Sequence, residues 1–351
     1  MLRQKQPFAL IYTTEFEKLN YGPDHPFRRD RFIFTRNYFK EKFPELPIIE
    51  PRNYDLSLLK KVHTQDYINL VMKLSKRGRG YLSIDTPIFP GIFEWAISYT
   101  WASLTATELV YENSFSLVFN PCGGLHHAKR NEDGGFCVFN DVALAGMYLY
   151  EKDINVAIVD IDAHAGDGTM LILYDKPILK ISIHEDPFFL YPGTGFIDQV
   201  GTKEGYGYTI NIPLPPGSTD DILVQVFREI VRPALMECDP EIIILQSGVD
   251  GYRKDTLTHL RYTIHGYHEI SKELKKICNK IVMLGGGGYS LREIPILWAT
   301  IFSTLIDKFN RVKVDAEEID PKPTKSDEDL RERAELVIRK ILETHPYFTK
   351  K

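Results

Sequence analysis

In Val156-Ala157-Ile158-Val159-Asp160-Ile161-Asp162-Ala163-His164-Ala165-Gly166-Asp167-Gly168-Thr169, an apolar, β-branched run leads directly into three carboxylates and an imidazole. The run predicts a buried strand of a parallel sheet. Asp162 and His164 lie two positions apart, so in extended backbone their side chains leave the same face at the strand's carboxyl end. Open α/β sheets bind ligands at that edge. Buried carboxylates must be paired or coordinated, and an imidazole beside carboxylate oxygens suits a divalent ion such as zinc.

The chain has 351 residues, 43% of them hydrophobic, with a net charge of −5, so it can bury a large core and carries no basic excess for nucleic acid. Cys122, Cys137, Cys238 and Cys278 are too scattered for a structural zinc site and too few for a disulfide framework, which predicts a reducing compartment. No apolar run is long enough to span a membrane, and Met1 to Pro7 has no signal-peptide hydrophobic region. The expectation is a soluble cytoplasmic protein without direct nucleic-acid or membrane binding. The sequence is silent on its oligomeric state.

Strand-like runs at Phe8–Tyr12, Ser116–Asn120, Leu179–Ile183, Tyr208–Ile212, Ile242–Leu245 and Ile281–Leu284 alternate with helical patterns at Arg28–Phe43, Leu56–Leu74, Ile92–Tyr111, Asn140–Tyr150, Asp220–Met236 and Ile264–Ile277. That alternation predicts an α/β fold, a mainly parallel sheet flanked by helices. Residues 1–312 read as one catalytic domain. Residues 313–351, charged and carrying Pro321 and Pro323 before a helical Asp327–Leu342, read as a C-terminal helical extension.

Several of these strands end in polar residues. His126 and His127 follow the second, and as neighbours with diverging side chains each needs its own partner; two surface histidines are the competing reading. Asp250 follows Ile242–Leu245, and Tyr289 follows four glycines after the last strand. The glycine run could also cradle a phosphate, but the Lys-Ser/Thr of a P-loop is absent. His25 either touches ligand or fixes its Pro-Gly-rich loop, and Asp85 either caps a turn or faces the site. Cys137 reads as a small buried thiol rather than a reactive one. In a parallel sheet the carboxyl ends share one edge, so Asp162, His164 and Asp250 can form a metal site with an open position. Asp160 and Asp167 can then orient the paired histidines, and Tyr289 can donate to an oxyanion. The set suggests metal-assisted hydrolysis of an amide or related carbonyl.

Leu125-His126-His127-Ala128-Lys129, Gly135-Phe136-Cys137, Asp160-Ile161-Asp162-Ala163-His164, Gly166-Asp167-Gly168, Gly248-Val249-Asp250 and Gly285-Gly286-Gly287-Gly288-Tyr289 occur in the order and spacing of the histone deacetylase family, which this chain resembles from about Tyr12 to Leu305. That family includes bacterial and archaeal deacetylases, acetylpolyamine amidohydrolases and proteins linked to acetoin utilisation. Tyr21-Gly22-Pro23-Asp24-His25-Pro26 and Pro87-Ile88-Phe89-Pro90 look most like the acetoin-utilisation branch.

The resemblance implies a single-domain arginase/deacetylase-like fold and a zinc-dependent hydrolase that removes acyl groups from lysine or another amine. Asp162, His164 and Asp250 match the metal ligands, with ferrous iron an alternative to zinc. His126 and His127 match the tandem histidines, paired with Asp160 and Asp167, and Tyr289 matches the residue that polarises the carbonyl. Gly135, Phe136, Tyr191 and Gly287 match the substrate channel, and Asp85 a rim carboxylate. Asp160, Asp162 and Ser182 match a K+ or Na+ site. Ala165 departs from the family pattern, where many relatives carry a second histidine, and Tyr191 stands for a frequent phenylalanine. A binuclear manganese hydrolase of the arginase type and a non-catalytic acyl-lysine binding module are the competing functions.

Overall fold

A computed structural model describes residues 7–349. The amino-terminal residues 1–6, most of the stretch in which no signal peptide was found, lie outside them. Eight strands, β1 (Phe8–Ile11), β2 (Ile48–Ile49), β3 (Leu117–Asn120), β4 (Val156–Asp160), β5 (Leu179–Glu185), β6 (Thr209–Leu214), β7 (Ile242–Gln246) and β8 (Ile281–Leu284), form one sheet in the order β2-β1-β3-β8-β7-β4-β5-β6. Every pairing is parallel. The expected α/β architecture is therefore present, with the sheet wholly rather than mainly parallel.

The longer helices are α1 (Asp30–Lys42), α2 (Gln65–Arg77), α3 (Ile92–Tyr111), α4 (Asp141–Tyr150), α5 (Asp167–Ile172), α6 (Asp220–Val226), α7 (Arg232–Cys238), α8 (Ile264–Lys275), α9 (Ile294–Leu305), α10 (Lys313–Ile319) and α11 (Glu328–Thr344). Alternate strand residues serve opposite faces of the sheet. Val156 and Ile158 pack with α3 and α4, whereas Ala157 and Val159 pack with α6, α8 and α9. Because both faces are covered, the strands read as unbroken apolar runs. No helix among the described residues is long and apolar enough to cross a membrane.

Two elements differ from their sequence patterns. The expected helix over Asp220–Met236 is interrupted by a π-helical turn at Phe227–Val231. Pro233 has no N–H to return to the preceding turn, which breaks the regular ladder there. Helix α9 has no amphipathic signature because it is buried almost throughout, from Ile294 to Leu305. Beyond it, Val312, Ala316, Ile319, Ala334, Ile338 and Ile341 join the main apolar core, and Asp320 ties the segment down by accepting from Arg253 Nε at 2.6 Å and the Ile264 N–H at 3.2 Å.

The register sets the position of the site. Asn120, Leu284, Gln246, Asp160 and Ser182 are aligned across β3, β8, β7, β4 and β5, so the loops after four of these strands leave from one row. The long loop after β3 is clamped from outside. His63, buried, donates from Nδ1 to the Lys129 carbonyl at 2.8 Å and accepts the Asn140 N–H on Nε2 at 2.9 Å. Tyr67 and Tyr99 hydroxyls donate to the carbonyls of Val138 and Phe139. Both ring nitrogens of His63 are committed in the neutral form, and burial pushes its pKa down to about 4.

Two stability measurements follow from this packing. Ile338→Ala and Ile341→Ala each cost about 2–4 kcal/mol in urea unfolding, whereas Leu336→Ala, 60% exposed on the same helix, changes it by no more than about 0.5 kcal/mol. For His63 the folded pKa lies below the unfolded value, so its neutral contacts stabilise fully above about pH 6.5 and are lost as the pH falls towards 4. The stability difference between wild type and His63→Gln should therefore shrink by up to about 3 kcal/mol between pH 7 and 4. A difference independent of pH would rule out this linkage.

Candidate active site

The turn after β4 brings together one oxygen of Asp162, one nitrogen of His164 and one oxygen of Asp250, all within 4.8 Å of one another and all buried. His164 Nδ1 lies 2.8 Å from Asp250 Oδ2 and 3.2 Å from Asp162 Oδ1. Main-chain donors hold the carboxylates: the Gly287 N–H reaches Asp162 Oδ2 at 2.7 Å, and the Ala163 N–H reaches Asp250 Oδ1 at 2.7 Å. A Cβ on Gly287 would lie 2.2 Å from Asp250 Oδ2, so only glycine lets that backbone pass so close to the group.

Electrostatics favour a cation here. Burial would lower the His164 pKa, but the charges of Asp250 and Asp162 outweigh it and lift it to about 10. Burial and the Asp162 charge together push the Asp250 carboxyl up. Two carboxylates converging on one imidazole in a buried cleft form a donor set that fits a divalent ion, and zinc or ferrous iron both accept it.

The paired histidines sit beside this group. His126 Nδ1 lies 2.7 Å from Asp160 Oδ2, His127 Nδ1 lies 2.7 Å from Asp167 Oδ1, and the two Nε2 atoms are 3.1 Å apart. Carboxylates can only accept, so each Nδ1 carries hydrogen and each Nε2 turns inward. The two rings then part company. For His126 burial is overcome by Asp160 and Asp162, raising its pKa to about 9, whereas burial and the neighbouring His126 charge hold His127 at about 4. These histidines are buried at 3% and 5% exposure, which removes the surface alternative.

Asn140 braces the pair, its Nδ2 donating to the carbonyls of His126 and Ala128, both at 3.0 Å, while its Oδ1 caps α4. Buried Asp141 accepts the N–H groups of Gly124 and Leu125 at 2.8 Å. Asp160 pairs with Ser182 across the sheet, and the Ser182 hydroxyl lies 2.8 Å from His184 Nδ1.

Tyr289 is partly buried, its N–H donating to Asp255 Oδ2 at 2.7 Å. Burial, with the charges of Asp250 and Asp162, raises its phenol far above the ordinary range, so it remains a neutral donor. The Phe136 ring meets Tyr289 at 6.0 Å, and Tyr191 meets His127 edge-on at 5.0 Å. Gly135 takes φ +50° under His127, where a Cβ would lie 2.2 Å from the ring.

At the rim, Asp85 and His25 both make local contacts. Asp85 accepts from the hydroxyls of Ser83 at 2.7 Å and Thr86 at 3.1 Å. His25 accepts the Phe27 N–H, donates to the Asp85 carbonyl, and packs edge-on against Phe136 at 4.6 Å. Cys137 is buried, as expected of a packing thiol, and its pKa is raised by burial. Ala165, unexplained by its sequence, is buried beside the Gly195 turn, where a Cβ on the glycine would lie 2.7 Å from the Ala165 methyl.

Two contributors escaped sequence reasoning. Gln246 ends β7 with Nε2 bonded to Asp162 Oδ2 at 2.9 Å and to the Gly124 carbonyl at 3.0 Å, tying three of the loops together. Its place as the last residue of a buried strand was the available signal. Arg31 is fully buried on α1, donating to the Gly286 carbonyl and flanked by the rings of Phe27 at 4.6 Å and Trp298 at 5.0 Å. An arginine in a helix rich in charge reads as solvated, so nothing local marked it.

Neutral and charged imidazoles side by side, a phenol and a cation-seeking trio around one cleft can accept a proton, donate one and stabilise an oxyanion. The model of the histone deacetylase domain matches residues 25–305. The chain is 36% identical over 313 residues to the acetoin utilization protein AcuC of Bacillus subtilis, covering 84% of this chain and 81% of that one. It is 35% identical over 298 residues to a probable deacetylase of Archaeoglobus fulgidus, covering 81% of each. The crystal structure of the HDA15 HD domain superposes with a TM-score of 0.85 at 25% identity, covering 99% of this chain and 97% of that one. Site, fold and sequence agree: the chain belongs to the histone deacetylase family.

Proposed function

We propose that this deacetylase hydrolyses the amide of acetyl-lysine or a related acylated amine in the cytoplasm, with a divalent ion on Asp162, His164 and Asp250. The observation that carries the reading is the paired imidazoles, 3.1 Å apart, one held protonated and one neutral beside the buried trio. Zinc or ferrous iron in that trio supplies Lewis-acid polarisation and acidifies water.

The chain's own groups do the rest. His127, neutral and fixed by Asp167, takes the proton of the attacking water on Nε2. The carbonyl carbon becomes tetrahedral, and the Tyr289 hydroxyl donates to its oxyanion. His127 then returns the proton to the departing nitrogen as the C–N bond breaks, giving a carboxylic acid and a free amine, between which the acid proton passes to leave a carboxylate and an ammonium. His126, charged and anchored on Asp160, favours the developing negative charge without transferring the proton itself. Phe136 and Tyr191 wall the channel for the alkyl stem, Gly135 and Gly287 allow close approach, and Asp85 stands at the rim. Asp160, Asp162 and Ser182 hold K+ or Na+ behind the site.

With zinc restored, His127→Ala should lower kcat about 10²–10⁴-fold and Tyr289→Phe about 10²–10³-fold on an acetyl-lysine peptide. Turnover near wild type in both variants would overturn the assigned roles. Chelation should abolish activity, and metal analysis on reconstitution should find one ion per chain; two would favour the binuclear alternative. A panel of acetyl-lysine peptides, longer acyl-lysine peptides and acetylpolyamines then identifies the amine, and binding without turnover across the panel would point to an acyl-lysine binding module.

A further inference from the structure

Residues 81–87 fold back on themselves at the rim, Tyr81 bridging Pro87 and the Leu82 N–H donating to the Thr86 carbonyl at 3.0 Å. The tip of this turn is bare, Ile84 being 96% exposed. Asp85 follows the tip, and side-chain contacts tie this part of the turn to the body of the protein. His25 Nε2 lies 3.1 Å from the Asp85 carbonyl, and the Ser83 hydroxyl lies 2.5 Å from Oδ2 of Asp133. Asp133 belongs to the loop that carries His127. Its neighbour Gly134 sits so close to the cleft that a Cβ there would lie 2.9 Å from the Tyr191 hydroxyl and 3.5 Å from the His127 carbonyl.

The same Ser83 hydroxyl also lies 2.7 Å from Asp85 Oδ1. A hydroxyl has one hydrogen to give and an ionised carboxylate has none, so two such short contacts need a second hydrogen. Asp133 is the carboxyl placed to hold it, because burial and the charge of Asp85 both raise its pKa. Among the described residues neither acid pairs with a lysine or arginine. Lys129, on the same loop as Asp133, is spent on Glu132 at 2.9 Å and Asp167 at 3.6 Å. The other titratable groups around the two acids are uncharged at neutral pH, since burial raises the phenols of Tyr21, Tyr67 and Tyr191 and lowers the His25 imidazole.

We propose that Asp133 is a positioning residue: it donates to Ser83, Ser83 donates to Asp85, and this chain of two hydrogen bonds holds the Asp85 carboxylate at the channel mouth for the main chain of an acylated peptide. The link joins the turn that meets substrate to the loop that carries the base. It rests on the proposed function, in which Asp85 stands at the rim. Nothing in the link touches the reacting atoms, so its loss weakens substrate binding and leaves the chemical step alone. With the Asp133 pKa raised, the second hydrogen is present at low pH and leaves as the pH climbs through that pKa, after which two negative charges share one hydroxyl.

The test measures kcat and KM on an acetyl-lysine peptide over about pH 5–9 for zinc-reconstituted wild type, Asp133→Ala, Asp133→Asn and Ser83→Ala. Asp133→Ala and Ser83→Ala should each raise KM about tenfold at low pH with kcat within about twofold, and the double variant should go no further. Asp133→Asn, whose amide N–H donates in place of the acid, should match wild type at low pH. As the pH rises, the wild-type KM should climb towards that of Asp133→Ala while Asp133→Asn stays below it. The ratio of those two KM values cancels the titration of His127 and of every other group the proteins share. Hydrogen exchange at the Leu82 and Thr86 amides needs no turnover, and at low pH it should be about tenfold faster in both alanine variants and unchanged in Asp133→Asn. If wild type turns over no acyl substrate, the proposed function fails, and exchange alone then decides the link. The link is overturned if Asp133→Ala leaves KM or exchange unchanged, or lowers kcat instead. It is overturned equally if Asp133→Asn behaves as Asp133→Ala does, or if its KM keeps a constant ratio to wild type at every pH.

Discussion

Charge buried at one edge of the sheet is the constraint that the rest of this molecule accommodates. Asp160, Asp162, Asp167 and Asp250 are each at most 4% exposed. None could stay ionised in such surroundings without a compensating donor or cation. The fold provides both. The parallel register aligns the ends of β3, β8, β7, β4 and β5, so main-chain N–H groups of neighbouring loops point at the same carboxylates. Imidazoles complete the set, one for Asp160, one for Asp167 and one shared by Asp162 and Asp250.

This sharing also differentiates three histidines of the same intrinsic acidity. His164 faces two carboxylates and His126 lies close to two, so both are pushed towards the charged form; His127 has one carboxylate and a charged neighbour, and is pushed the other way. A neutral and a charged imidazole therefore arise from adjacent residues without any difference in side chain. The geometry depends on groups that never touch the cleft: Asn140 and Asp141 hold the loop from within, His63, Tyr67 and Tyr99 from without.

Much of this was legible in the sequence because strand ends and chemistry coincide. The apolar runs named the strands, candidate site residues such as Asp162, His164 and Asp250 follow them closely in the sequence, and parallel topology brings those ends to one edge. The resemblance to a known family added roles that spacing alone could not assign. What was hidden depended on the third dimension. Gln246 becomes a site residue only once β7 lies between β8 and β4, and Arg31 only once α1 packs under the Gly285–Gly288 loop. Helix α9 lost its periodicity because both of its sides are covered, and Pro233 was a local signal for the break after α6 that the apolar period outweighed.

Arg31 and Lys180 extend the same constraint to positive charge. Both are cations buried within the fold, and both donate to main-chain carbonyls rather than to side-chain acids. Carboxylates beside them would have introduced further charge close to the Asp160–Asp167 cluster, whereas carbonyl dipoles supply oxygen without net charge. Near a buried Asp-His-Asp group that could hold a metal ion, that difference matters. A carboxylate shared with a structural lysine could compete for the ion, but a carbonyl at the end of α5 or in the Gly285–Gly288 loop is a weak ligand for a divalent transition metal. Neutral oxygen for structural cations and acidic oxygen for the cleft keep the two kinds of site separate within one buried layer.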